Sequence, residues 1–303
     1  MFDIIGDIHG HADELISLLN KLGYQQANGV FSHSERKVLF VGDYIDRGPK
    51  IKEVLRIVRG MVENDRAIAL MGNHEYNAIC FHYPEREGGH LRKHLIKNVL
   101  QHYETLKAFK NSQSEYEDYI DWFITLPLFY ENELFRAVHA CWDHRHIELL
   151  RRNLINDQLD DDLIYQSTRK DSALYLAVEE ILKGKELNLP NEISFYDKDG
   201  HQRSAIRTKW WEDPEGASYR SLSVEERTDL PDEPVQISEF KKADFYSSGE
   251  KPVFFGHYWL KHHPSIFKPN VCCLDYSVAK GGKLVAYRFD GEQILKNEKF
   301  VFV

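Results

Sequence analysis

The sequence predicts an α/β fold built on parallel strands, and two patterns carry that expectation. Phe2 to Ile5, Lys37 to Val41 and Arg66 to Leu70 are short runs rich in Ile, Val, Leu and Phe, each leading straight into a loop that contains glycine, as buried strands do. Between them, Leu15, Ile16, Leu18, Leu19 and Leu22 recur at helical spacing ahead of Gly23, and Ile51, Val54, Leu55, Val58, Met61 and Val62 do the same after Pro49. Strands alternating with amphipathic helices read as a parallel sheet with helices on its face.

From Leu91 to Phe109, apolar residues at 91, 95, 96, 99, 100, 103, 106 and 109 draw one stripe, so a single helix packing by one face is expected. His90 and His94 are four apart there, with His102 two turns further; a solvated polar face is the simpler reading, a peripheral metal the alternative. A short helix around Glu117 to Leu126 should end at Pro127, and Leu134 to Val138 returns as a strand. Residues 143 to about 205 change to charged helical text, with the run Asp160-Asp161-Asp162, which lacks calcium-loop spacing and reads as a solvated loop, and a hairpin-like Tyr196-Asp197-Lys198-Asp199-Gly200. Pro252 to Phe255, Val271 to Leu274, Leu284 to Phe289 and Lys299 to Val303 then read as strands of a second sheet joined by tight connections. One domain over 1–303 is expected, with a helical excursion near 85–125 and an insert near 145–205 that caps or flanks a site.

With 303 residues and 42% hydrophobic content, the chain can bury a sizeable core. Its net charge of -9 opposes non-specific binding to nucleic acid. The four cysteines show no C-x-x-C pair, and adjacent Cys272 and Cys273 bridge poorly, which points to a reducing compartment. No signal-like start and no apolar run near the roughly 20 residues of a membrane span is seen, so a cytoplasmic protein without membrane contact is expected.

Five short segments follow the apolar runs: Gly6-Asp7-Ile8-His9-Gly10, Gly42-Asp43-Tyr44-Ile45-Asp46-Arg47-Gly48, Gly72-Asn73-His74-Glu75, Val138-His139-Ala140 and Gly256-His257. Strands deliver side chains rigidly, so hard carboxylates and imidazoles gathered at strand ends make a metal site. Asp7 and His9, two apart, would project to one side of an extended chain and grip one ion. Taken alone, any Gly-Asp pair is more often a turn; five in this order are not. Together they resemble the phosphoprotein phosphatase branch of the calcineurin-like metallophosphoesterases, from Met1 to about Gly282. The resemblance implies a four-layer α/β/β/α sandwich of two mixed sheets with helical insertions. It implies two divalent ions, manganese first and iron, zinc or cobalt as alternatives. Asp7 and His9 would serve one ion, Asn73, His139 and His257 the other, and Asp43 both. It further implies a metal-bridging hydroxide as nucleophile, Arg47 on the phosphate oxygens, His74 as general acid and Asp46 as its orienting partner.

The chain also departs from that branch. Met71 stands where an arginine is usual, and Cys273-Leu274-Asp275-Tyr276 replaces the usual Ser-Ala-Pro-Asn-Tyr. Asp275 followed by Gly281-Gly282-Lys283-Leu284 instead resembles the bacterial diadenosine tetraphosphatase branch. A second substrate arginine is expected after the Trp211-Glu212-Asp213-Pro214 segment, with Arg220 and Arg227 as candidates. Tyr258 and Asp275 are further substrate-binding candidates. Trp210, Trp211 and Tyr258 could stack a base, though core packing is the simpler reading. The implied activity is hydrolysis of phosphomonoesters in the manner of a serine/threonine protein phosphatase. The alternative is a dinucleoside tetraphosphatase, or a nucleotide phosphatase or phosphodiesterase; a non-catalytic module that holds metal and binds phosphorylated partners is disfavoured because every motif position is filled. The expected partner is thus a phosphopeptide, a small phosphoester or a dinucleoside polyphosphate.

Overall fold

The computed structural model describes residues 1–303 apart from 191–192, 197–199, 201 and 237–244. The first sheet runs in the order Asp275–Tyr276, Lys283–Phe289, Phe2–Ile5, Lys37–Phe40, Ala67–Ala69, with Phe300–Phe302 also paired to Lys283–Phe289. Its Phe2–Ile5, Lys37–Phe40 and Ala67–Ala69 strands are parallel, and Lys283–Phe289 is antiparallel to Phe2–Ile5. The second sheet runs Val271–Cys273, Val253–Phe255, Arg136–Val138, Phe129–Glu131 and is also mixed. The chain is an α/β protein with two mixed sheets, as the sequence predicts.

The sheets meet through aromatic rings. Phe254 of the second sheet lies 5.2 Å from Tyr287 and 5.5 Å from Phe289 of the first, and Phe135 lies 5.3 Å from Phe2, distances at which edge and tilted contacts add to area burial. Helices Ala12–Lys21 and Ile51–Glu63 bury Leu15, Leu18 and Leu19, and Val54, Leu55, Val58 and Met61, respectively. These are the periodic positions of the sequence.

Two sequence expectations need correction. Leu284 to Phe289 and Lys299 to Val303 belong to the first sheet rather than the second. Phe2–Ile5 has two edges, Lys37–Phe40 covers one, and a buried open edge would leave amides unpaired; Lys283–Phe289 fills the other, and Gly6 N–H continues the ladder to the Val285 carbonyl at 3.0 Å. The single helix expected over 91–109 is instead two, Ile96–Gln101 and Tyr103–Phe109, which meet at His102. Leu95, Ile96 and Leu100 consequently stay exposed.

The segment 143–205 is helical, as expected, with His144–Asn153, Asp161–Ser167 and Ala173–Lys183. Asp160 is the N-cap of the second of these, its side chain accepting Leu163 N–H at 2.8 Å, so the acidic run starts a helix rather than forming a loop. In the expected hairpin, Phe195–Tyr196 pairs with Gln202–Arg203, while the turn at 197–199 lies outside the described residues. A smaller apolar cluster around Leu187, Ile206, Tyr219, Leu222 and Leu230 sits beside the main core. No helix among the described residues is long and apolar enough to cross a membrane, and Cys80, Cys141, Cys272 and Cys273 are free and buried.

Candidate metal centre

All five motif loops open at the carboxyl end of a strand, and backbone bonds tie them together. Ile8 and His9 N–H both donate to the Asp43 carbonyl at 3.1 and 2.9 Å, and Gly10 N–H donates to that of Tyr44 at 2.9 Å. His9, Asp43, Asp46, Arg47 and His257 all have positive φ, between 47° and 75°. Such left-handed residues cost of order 1 kcal/mol or more each, and their concentration here marks a site whose shape is imposed by its surroundings. His9 is therefore not in extended chain, contrary to what its spacing from Asp7 suggests. Gly72 shows how tight the packing is: a Cβ there would sit 2.3 Å from Asp43 N and from its Oδ1.

The loops bring Asp7, His9, Asp43, Asn73, His74, His139 and His257 together, all buried. Ligand atoms of His9, Asp43 and His74 lie within 4.8 Å of one another, as do those of Asp43, His139 and His257. Asp43 is common to both groups: its Oδ2 lies 3.5 Å from His9 Nε2 and its Oδ1 3.4 Å from His139 Nε2. Asp7 belongs to neither group; its Oδ2 accepts His257 N–H at 3.0 Å.

The donor chemistry fits cations. His9 Nδ1 donates to the Ile45 carbonyl and His139 Nδ1 to that of Val41, each at 2.9 Å, which in a neutral ring leaves the lone pair on Nε2. His139 Nε2 faces Asn73 Oδ1 at 3.0 Å, two acceptors that need either a proton on the ring or a metal ion between them. Burial opposes protonating His139, yet Asp43 overrides it and draws the imidazole up to about 10; His9 goes the other way, to about 3, because burial outweighs Asp43. Asp7 Oδ1, His9 Nε2 and His257 Nε2 are buried without a hydrogen-bond partner. Burial, then the neighbouring Asp275 and Asp43 carboxylates, pushes Asp7 well above the carboxylate range, as expected of clustered acids that need a counter-ion.

Glu75 has a role that its motif position did not reveal. Its carboxylate accepts backbone N–H groups from Asp43 at 2.9 Å, Tyr44 at 2.8 Å, Ile45 at 3.3 Å and Gly72 at 3.0 Å. It thus pins the Asp43 loop to the Asn73 loop. Burial and Asp43 push it up to about 7 against the pull of those amides. Glu75 is the third residue of the helix Asn73–His82, and its place three residues after the N-cap Gly72, where an acid reaches back to the cap's N–H, was the available signal.

His74 Nδ1 lies 2.5 Å from Asp46 Oδ2, while its Nε2 points back toward Asp43 Oδ2 at 4.0 Å. Burial opposes its protonation, but Asp43 and Asp46 prevail and raise its proton affinity. The Arg47 guanidinium lies over the Trp259 ring at 4.3 Å, with Lys280 Nζ 4.8 Å from the same ring. These residues open on a cleft of about 280 Å³ whose lining includes Arg203, Arg207, Glu186 and Glu225.

Of the expected substrate residues, Arg220 is placed elsewhere: it donates to the Leu230 carbonyl at 3.1 and 2.8 Å and pairs with Asp232. Arg227 pairs with Asp229 and lines a neighbouring cleft of about 720 Å³, together with Tyr258. Asp275 is buried and accepts Trp259 N–H at 2.7 Å and Ser277 N–H at 2.9 Å, and so it holds the loop that carries His257. Trp210 and Trp211 are core residues, the latter stacked on Phe267 at 4.7 Å. Arg203 and Arg207, on small ribbons that carry no periodic signal, line the first cleft where Arg220 does not. A third acidic group, Asp143, His146 and Glu180, already holds a cation, since Lys185 Nζ lies 3.0 Å from Asp143 Oδ2.

Residues 1–219 match the family described as calcineurin-like phosphoesterase. Among curated proteins, the chain is 35% identical over 128 residues to the bis(5'-nucleosyl)-tetraphosphatase PrpE (asymmetrical) of Oceanobacillus iheyensis, covering 42% of this chain and 50% of that one. It is 51% identical over 74 residues to the protein of that name from Bacillus subtilis, covering 24% and 30%. The matched stretch thus spans half or less of these relatives. Among solved structures, the cold-active protein-tyrosine phosphatase of a Shewanella species superposes with a TM-score of 0.51 at 15% identity, covering 99% of this chain and 76% of that one. A serine/threonine phosphatase from Saccharomyces cerevisiae does so with a TM-score of 0.51 at 14% identity, covering 100% and 78%. These two show a shared fold.

Proposed function

The chain belongs to the calcineurin-like phosphoesterase family and is a phosphoric ester hydrolase, and from that premise we propose that its substrate is an extended phosphate chain of the dinucleoside polyphosphate class. The observation that carries this reading is that four cations, Arg47, Arg203, Arg207 and Lys280, line one cleft, more positive charge than a single phosphate calls for. The adjoining cleft shares Arg207, Glu225 and Trp259 with the first and offers room for a second nucleoside. The names of the bacterial relatives agree with this substrate class.

Two divalent ions would be held by Asp7, His9 and Asp43 and by Asp43, Asn73, His139 and His257. When bound, they supply Lewis acidity and a water made acidic enough to attack phosphorus near neutral pH; the mixture of oxygen and imidazole donors favours manganese, with iron, zinc or cobalt as alternatives. Arg47, stacked on Trp259, donates to the equatorial oxygens of the phosphate under attack. His74 gives the leaving oxygen its proton from Nε2, with Nδ1 held by Asp46. Arg203, Arg207 and Lys280 orient the remaining phosphates.

The second reading, a serine/threonine phosphomonoesterase, rests on Asp46 and Arg47, which serve a single phosphate. The test is kcat/KM of one manganese-loaded preparation on diadenosine tetraphosphate, a phosphoserine peptide and p-nitrophenyl phosphate. Preference for the dinucleotide over the peptide by about 10-fold or more, over 1.4 kcal/mol of transition-state binding, is expected. A similar preference for the peptide would put the second reading first.

A further inference from the structure

We infer that His102 is a positioning residue of the proton-donating pair, holding the Asp46 carboxylate so that it aims His74 at the leaving oxygen. The inference rests on the role proposed above for His74.

The two oxygens of Asp46 are divided between two imidazoles. Oδ2 lies 2.5 Å from His74 Nδ1, and Oδ1 lies 2.7 Å from His102 Nδ1. Oδ1 also accepts the Thr105 hydroxyl at 2.6 Å, and that hydroxyl oxygen accepts Asp46 N–H at 3.0 Å. On its far side, His102 Nε2 is hydrogen-bonded to the Tyr116 hydroxyl. A neutral His102 satisfies the whole chain: Tyr116 O–H donates to Nε2, and Nδ1–H donates to Asp46. His74, Asp46, His102, Thr105 and Tyr116 are all buried, out of reach of bulk solvent. With Oδ1 held by two donors, the carboxylate cannot rotate away from His74. Hydrogen bonds that polarise one another in a low-dielectric interior make such an arrangement stiff.

The local chain is bent to permit it. His102 ends one helix and begins the next, with φ -98° and ψ 4°, and the apolar side chains of Ile96 and Leu100 are left in solvent.

The experiment uses the full chain loaded with manganese and two probe esters, phosphoserine with a poor leaving group and p-nitrophenyl phosphate with a good one, because the contrast between them isolates proton donation to the leaving oxygen. His102→Ala should retain its metal content and lower kcat on phosphoserine by about 10-fold, with KM nearly unchanged and a smaller loss on the aryl ester. His102→Gln, whose amide can still donate to Asp46, should recover most of that loss. Tyr116→Phe, which keeps the ring and removes only the hydroxyl, should show the same pattern more weakly and serves if His102→Ala does not fold. Equal losses on both esters, a change confined to KM, or unchanged kcat in any folded variant lacking the donor would overturn the inference. His74→Ala separates the two readings: if it discriminates between the esters and the His102 variants do not, only the positioning role falls. If His74→Ala itself does not discriminate, the general-acid role falls and this inference with it.

Discussion

Asp7, His9, Asp43, Asn73, His139 and His257 each follow a strand of one of the two sheets and are at most 6% exposed, whereas Arg203 and Arg207, across the same cleft, are exposed on two-stranded ribbons of the segment after residue 143. The first set is held by backbone bonds between loops and by the four amides on Glu75. The second leans on a small separate cluster of apolar residues and on surface pairs such as Arg207 with Glu186 at 4.0 Å. Reaction chemistry needs fixed ligands within fractions of an ångström, while recognition of a flexible phosphate chain tolerates long mobile cations. The difference implies that the two halves of the cleft can be altered separately.

The largest expected effect breaks the rigid half. Asp43→Asn removes the anion common to both ligand groups, so turnover and bound metal should be lost together, read by elemental analysis and hydrolysis of p-nitrophenyl phosphate. Retention of two metals per chain with near-normal turnover would remove Asp43 from the centre of the site.

An intermediate effect sharpens the contrast. Arg203→Ala with Arg207→Ala should lower kcat/KM on diadenosine tetraphosphate by about 10- to 100-fold, since each charge-assisted hydrogen bond contributes about 1.5–3 kcal/mol at most and exposure weakens it. Hydrolysis of p-nitrophenyl phosphate should change by less than about threefold. A uniform loss on both substrates would mean that the arginines support the metal loops rather than the substrate.

The smallest effect concerns the joint between the halves. Asp143 caps the helix His144–Asn153 through Arg145 and His146 N–H and is bonded to Lys185 at 3.0 Å. Burial works against its ionisation, but Lys185 and these amides hold it down at about 2. A carboxylate held below its unfolded value stabilises the fold above pH about 4, where the unfolded chain has also ionised, and loses that contribution as pH falls toward 2. Asp143→Ala should therefore cost about 2 kcal/mol at pH 7 and flatten the acid limb of stability between about pH 4 and 2, measured by urea unfolding. Unaltered acid sensitivity would show that the cap and its lysine contribute little to joining the insert to the sheets.

Where the code is local, the sequence could be read. Leu15, Leu18 and Leu19, and Val54, Leu55 and Val58, are buried at the spacing a helix demands, and each ligand sits in a motif of a few residues whose turn chemistry is visible in the letters. Pairing was not legible in that way: the period-two pattern of Leu284 to Phe289 says that one face is buried, not which strand it joins. His102 was read as a solvated face because its partner, Asp46, lies 56 residues away.

What this amino-acid order determined unaided was therefore the strands and helices around the motif loops, the chemistry of those loops and the family they announce. The folded chain alone decided which sheet the last strands complete, that Arg203 and Arg207 rather than Arg220 face the cleft, and that Asp46 is shared by two histidines. The physical reason is range. Periodicity, caps and turns act over a few residues and leave their mark in composition, whereas edge pairing, buried polar satisfaction and exposed arginines depend on neighbours that only three-dimensional packing supplies.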